Sequence, residues 1–229
     1  MDTLQNSLQG VKSRIVEAAA SARRDPRDIL LLAVSKTFGA DRIRAAFAEG
    51  QVHFGENYVQ EAIEKMATLA DLAITWHFIG PIQSNKTRLI AERFAWVHSV
   101  DRSKIAERLS SQRPATLPAL QICVQVNTSG EASKSGCAPD AVVSLAQSIA
   151  AMPGLRLRGL MTVPEPTSDL SLQRSRFESL AALRARCVAA GVPMDALSMG
   201  MSVDLEQAIA AGATIVRIGT AIFGERLVG

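Results

Sequence analysis

A lysine directly after an apolar strand can act as a nucleophile if its amine is partly desolvated. Lys36 stands in that position, following Ile29-Leu30-Leu31-Leu32-Ala33-Val34. Partial desolvation lowers an amine's pKa, and the neutral form is the one that attacks an aldehyde to give an imine. Far along the chain, Ser202 ends one apolar run, and Arg217-Ile218-Gly219-Thr220 ends another. The hydroxyls of Ser202 and Thr220 can donate to phosphate oxygens. Gly219 permits close backbone approach, and a helix N-terminus adds further N–H donors. Taken singly, these residues read more plainly: a solvated lysine at a strand end, a helix N-cap at Ser202 and a turn glycine at Gly219.

Other groups invite chemistry and earn less. His53, His77 and His98 fall on or near three successive strands, but none sits in a metal-ligand spacing and no carboxylate motif accompanies them. They read as satisfied interior histidines. Glu56 and Glu165 are candidate acid–base groups, and nothing raises either above a structural role. The cysteines, Cys123, Cys137 and Cys187, are odd in number and lack a CxxC spacing, which predicts reduced, partly buried thiols.

The elements that must position Lys36 and the phosphate-type residues follow from periodicity. Leu4, Leu8, Val11, Ile15, Ala18 and Ala22 form one helical stripe that ends near Pro26. Strands are then predicted at Ile29–Val34, Val52–Phe54, Ile74–Ile79, Ala95–Val100, Leu120–Val126, Leu157–Val163, Ala196–Met201 and Thr214–Ile218. Between them lie helices marked by Ile43, Ala46 and Phe47; Val59, Ala62, Ile63 and Met66; a start near Ser84; Ile105 and Leu109 behind an N-cap at Asp101; Val142, Ala146 and Ile149; Phe177, Leu180, Leu183 and Cys187; and Leu205, Ala208 and Ile209. Alternation of this kind predicts a (β/α)8 TIM barrel with an extra N-terminal helix. An open doubly wound sheet usually carries a Gly-rich loop after its first strand, whereas Ser35-Lys36-Thr37 stands there instead. Residues 1–229 read as a single domain. Two long connections, Asn127–Ala138 and Pro164–Asp169, follow strand C-termini and are candidate ligand-covering loops.

Composition sets outer bounds. Hydrophobic residues make up 48% and aromatics 4%, so the core must be built from aliphatic side chains. The formal net charge is +3, with the basic residues scattered and no aromatic-interleaved basic patch, which argues against nucleic acid as partner. No stretch approaches the roughly 18 apolar residues of a membrane span, and the N-terminus has no apolar signal core, so no membrane partner and a cytoplasmic location are expected.

In a barrel, Lys36 and the phosphate-type residues share the mouth at the C-terminal ends of the strands. Together they suit a phosphorylated aldehyde, which leaves a Schiff-base aldolase acting on a sugar phosphate or a pyridoxal-phosphate protein. At this point a resemblance enters. The stretches Ala33–Lys36, His53–Asn57, Trp76–Gly80, Gln83–Lys86, Ser133–Gly136, Gly159–Met161, Leu197–Ser202 and Val216–Gly224 occur in order, and their residues resemble the pyridoxal phosphate homeostasis protein family. The resemblance implies a barrel similar to the N-terminal domain of alanine racemase and pyridoxal 5'-phosphate (PLP) held as a Schiff base on Lys36. It implies that Ser202, Gly219 and Thr220 hold the phosphate, that Arg217 faces the pyridine nitrogen and that Asn57 lies near the ring. It also implies that Lys134 occupies the place of an arginine near the phenolic oxygen. The function implied is intracellular PLP homeostasis, buffering the cofactor or delivering it to apo PLP-dependent enzymes. A small PLP-dependent amino-acid racemase is the alternative; racemisation wants two bases, and the single tyrosine, Tyr58, reads as a wall residue. With no second domain to supply dimer contacts, a monomer is expected.

Overall fold

The computed structural model of the chain describes residues 3–130 and 135–225. Eight strands lie in chain order: β1 Leu30–Val34, β2 His53–Glu56, β3 Thr75–Phe78, β4 Trp96–Val100, β5 Leu120–Gln125, β6 Leu155–Met161, β7 Ala196–Ser198 and β8 Ile215–Ile218. Each pairs in parallel with the next, and β8 returns to β1 through Leu30↔Ile215 and Ala33↔Ile218 to close the barrel. Helix α1, Thr3–Ser21, precedes β1. Then α2 Ala40–Ala48, α3 Val59–Thr68, α4 Thr87–Arg93, α5 Ser103–Gln112, α6 Val142–Ala150, α7 Leu170–Ala189, α8 Leu205–Ala210 and α9 Thr220–Phe223 follow β1 to β8 in turn. The expected (β/α)8 barrel with its extra N-terminal helix is the fold observed.

Strand parity divides the core. Successive side chains of a strand point to opposite faces. Leu32, Cys123, Met161, Ala196 and Ile215 form a small cluster inside the barrel. Their neighbours Ala33, Val124, Leu160, Leu197 and Val216 belong to the large cluster shared with the helices. The stripe of α1, Leu4, Leu8, Val11 and Ile15, is buried in that outer cluster as its spacing requires. The same parity carries past the strand ends: Leu30 and Leu32 are followed by Val34 and Lys36, and Ile215 by Arg217 and Gly219. Two groups distant in sequence are thereby aimed at one mouth.

Some boundaries differ from expectation. Strand β6 begins at Leu155 and ends at Met161, so Val163 lies in the following loop. Strand β7 stops at Ser198, short of the expected Met201, because Gly200 turns the chain at φ +94°. Asp101 does not cap α5: the N-cap is Arg102, without a side-chain cap bond, and Asp101 is instead paired with the Arg102 guanidinium at 2.7 Å. Ser202 does not begin a helix either, since α8 starts at Leu205 behind Asp204. Among the described residues, no helix is long and apolar enough to cross a membrane.

Candidate functional site

A cavity of about 360 Å³ opens at the C-terminal ends of the strands. That volume lies in the range of small-molecule sites. Lys36, Asn57, Ser202, Arg217, Gly219 and Thr220 all line it, together with Val34, Phe38, Ile79, Val163, Met201 and Val203. Residues expected to act together from positions 36, 57, 202 and 217–220 are thus gathered at one mouth. Lys134 lies outside the described residues.

Local structure explains each placement. Gly219 caps the short helix α9, whose first residue is Thr220; its carbonyl accepts from the Ile222 and Phe223 N–H groups, and the Thr220 N–H at the helix start has no intrahelical acceptor. A Cβ at Gly219 would stand 3.2 Å from the Val34 carbonyl oxygen, so the glycine allows β8 to run tightly along β1. Ser202 Oγ accepts from the Ala221 N–H at 3.3 Å, which ties the loop after β7 to α9. Asn57 follows β2, half-buried, and its Oδ1 has no hydrogen-bond partner among the described residues. A partnerless buried acceptor on a cavity wall fits a ligand that brings a donor.

Arg217 is buried at 4% exposure. Its Nη1 donates to Ser198 Oγ at 2.9 Å and its Nη2 to the Thr162 carbonyl at 2.8 Å. Burial pulls the guanidinium down to about 10, opposed by Asp204, so it remains charged near neutrality. From Ser198 a polar line crosses the barrel interior: Ser198 Oγ to His98 Nδ1 at 2.8 Å, His98 Nε2 to His77 Nδ1 at 2.9 Å, and His77 Nε2 to His53 Nδ1 at 3.0 Å. With Arg217 donating to its oxygen, Ser198 can give its hydroxyl proton to His98 Nδ1; in that arrangement His98 carries its own proton on Nε2, and the same logic sets His77. Burial pushes His98 down to about 3 and His77 well below the ordinary imidazole value, so both are neutral. The reading of interior histidines with satisfied partners holds. Among the described residues no group of His, Cys, Asp and Glu is arranged to hold a metal ion.

The two glutamates separate. Glu56 is fully buried behind the mouth, its Oε1 accepting from Ser35 Oγ at 2.6 Å and Lys65 Nζ at 2.8 Å. Burial raises its carboxyl pKa, with Lys65 pulling the other way. Glu165 is exposed and accepts from Arg176 through its carbonyl at 2.7 Å. Neither lines the cavity. Tyr58 is 54% exposed and is not among the lining residues, so it is no wall of this cavity. Of the two long connections, neither Pro164–Asp169 nor any described residue in 127–138 lines the cavity, although Val163, just before the first of these, does. The cysteines are free, with burial pushing Cys123 up to about 12 and Cys137 to about 11, which leaves unreactive thiols.

Sequence reasoning passed over Ser198, Thr162 and Lys65. Parity along β7 places Ser198 inside with Ala196, and the Glu61–Lys65 spacing on α3 marks an i,i+4 pair, so both carried a signal. Thr162 acts through its carbonyl, for which the residue type gives none.

Comparison with known proteins gives a consistent picture. Residues 7–227 match the family described as alanine racemase, N-terminal domain. A pyridoxal phosphate homeostasis protein of Pseudomonas aeruginosa is 59% identical over 226 residues, covering 99% of this chain and 97% of the relative. The solved structure of PipY from Synechococcus elongatus with PLP bound superposes with a TM-score of 0.80 at 38% identity, covering 92% of this chain and all of PipY. An alanine racemase from Corynebacterium glutamicum shares the fold at a TM-score of 0.70 and 14% identity; the match spans 98% of this chain and 62% of the racemase.

Proposed function

The chain belongs to the pyridoxal phosphate homeostasis protein family, within the alanine racemase N-terminal domain family, and from that membership we propose that it holds PLP in the barrel mouth on Lys36 and buffers it or passes it to apo-enzymes. The observation that carries this reading is the one cavity that brings Lys36 together with Asn57, Ser202, Arg217, Gly219 and Thr220.

When bound, PLP supplies an aldehyde for the lysine and a pyridine ring that can draw electrons from a substrate. The Lys36 amine is the group for covalent hold on the aldehyde carbon. The Ser202 and Thr220 hydroxyls, with the backbone N–H groups at Gly219 and Thr220, are the donors for a phosphate. Asn57 Oδ1 offers an acceptor near the ring, and Lys134 is assigned to the phenolic oxygen. Arg217, charged and fixed on Ser198 and Thr162, is assigned to the pyridine nitrogen. A permanent cation there opposes protonation of the ring and weakens it as an electron sink. That favours holding the cofactor over running chemistry on it.

The racemase reading draws on the shared barrel and on Arg217, and it needs a second base. Incubation with a panel of amino acids in deuterated water discriminates the two: exchange of an α-proton supports a racemase, and no exchange supports the carrier. The carrier reading is completed by a single domain over residues 1–229, a monomeric state and a cytoplasmic location. Adding PLP to the purified protein is expected to produce a visible absorbance band that is absent in Lys36→Ala. A wild-type protein without that band contradicts the proposal.

A further inference from the structure

Lys36 stands on a turn that is fixed on both sides. Ser35 Oγ donates to Glu56 Oε1 at 2.6 Å, and the Ser35 carbonyl accepts from Lys65 Nζ at 2.8 Å. On the other side, the Thr37 N–H donates to Glu61 Oε1 at 2.6 Å. Thr37 has φ +70°, the left-handed region, which a β-branched residue enters only under strain. Such a conformation persists only where the surroundings over-determine it.

Lys65 joins the two sides. An ammonium has three donors and no acceptor. Lys65 Nζ gives one bond to the Ser35 carbonyl, one to Glu56 Oε1 at 2.8 Å and one to Glu61 Oε1 at 2.5 Å. Glu61 and Lys65 sit one turn apart on α3, and Glu56 ends β2. An ion pair that served packing alone would bond its members to one another. Here every member also bonds to a residue flanking Lys36.

We propose that Glu61, Lys65 and Glu56 are positioning residues for Lys36, clamping Ser35 and Thr37 so that the lysine points into the cavity before the cofactor arrives. The inference rests on the reading of Lys36 as the cofactor's anchor. Without Glu61, the Thr37 N–H loses its acceptor, and the left-handed backbone is held only by the turn bond from the Phe38 N–H to the Ser35 carbonyl at 3.1 Å and by the Ser35 side of the clamp. The turn then relaxes, and the amine spends less time where the aldehyde must meet it.

Two readouts test this. One is the rate at which cofactor-free protein captures PLP, followed by growth of the visible band. The other needs no cofactor: the exchange rate of the Thr37 amide by NMR. Glu61→Ala is expected to slow capture by about tenfold or more and to speed exchange at Thr37. Glu61→Gln retains an oxygen for the Thr37 N–H and is expected to retain most of the rate. Thr37→Gly placed on Glu61→Ala is expected to restore part of it, because glycine enters the left-handed region without steric cost. Should Glu61→Ala fail to fold, Glu61→Asp, which withdraws the acceptor by one methylene, is read by the same two measurements. Wild-type capture and unchanged Thr37 exchange in the variant overturn the proposal. A band that persists in Lys36→Ala overturns the anchor reading instead, so the two failures are distinguishable.

Discussion

A buried guanidinium that donates to a serine hydroxyl favours one placement of protons several residues away. With Arg217 on Ser198 Oγ, both His98 and His77 are expected as neutral Nε2–H tautomers, which nitrogen-15 shifts of the imidazoles report directly. Ser198→Ala removes the donor to His98 Nδ1 and an acceptor of Arg217 at once. We expect a loss of about 1–3 kcal/mol in stability, with a changed His98 tautomer and weaker PLP binding; an unaltered His98 signal would contradict the directional chain. Much of the site at this scale was legible in the sequence. Lys36, Ser202, Arg217, Gly219 and Thr220 were marked by residue type at strand ends. The clamp on Thr37 was not, because a positive φ at a threonine leaves no trace in residue type and its partner Glu61 lies on another element.

At the scale of elements, the mouth depends on how closely the loops after β2 and β3 approach. A Cβ on Gly80 would stand 2.2 Å from the Asn57 carbonyl oxygen, a backbone atom with no flexible way out. Gly80→Ala is therefore expected to push Asn57 off the cavity wall, weakening PLP binding by about tenfold and costing roughly 1–3 kcal/mol of stability. Cofactor titration and thermal unfolding check both, and unchanged affinity would remove Asn57 from the site. The sequence of elements was readable because apolar runs and helical stripes alternate without interruption. Their ends were less so. Gly200 stops β7 early through its backbone angle, and Asp101 looked like a cap while its carboxylate is taken by the adjacent Arg102. Both errors arise where a local side-chain preference loses to a neighbour that periodicity does not weigh.

For the whole molecule, the neutral histidines set an acid limit. The pKa values of His77 and His98 are lowered in the fold, whereas in the unfolded chain both titrate near ~6.5. Below that pH the unfolded state binds more protons, so stability is fully present above ~6.5 and falls as pH drops, by up to about 1.4 kcal/mol per pH unit for each histidine. Glu56, with its pKa raised by burial, acts in the opposite sense, since its protonation is easier in the fold. Urea midpoints measured from about pH 7.5 to about pH 5.5 are expected to decline, with a shallower decline in His77→Gln. A flat profile would contradict neutral burial of the pair. In the proposed function the barrel brings one amine to one aldehyde, and that is open to a single direct measurement. The protein is incubated with PLP, reduced with borohydride and digested, and its peptides are weighed by mass spectrometry. The account predicts a pyridoxyl adduct on the peptide carrying Lys36, lost in Lys36→Ala; an adduct confined to other lysines, or none, would contradict it.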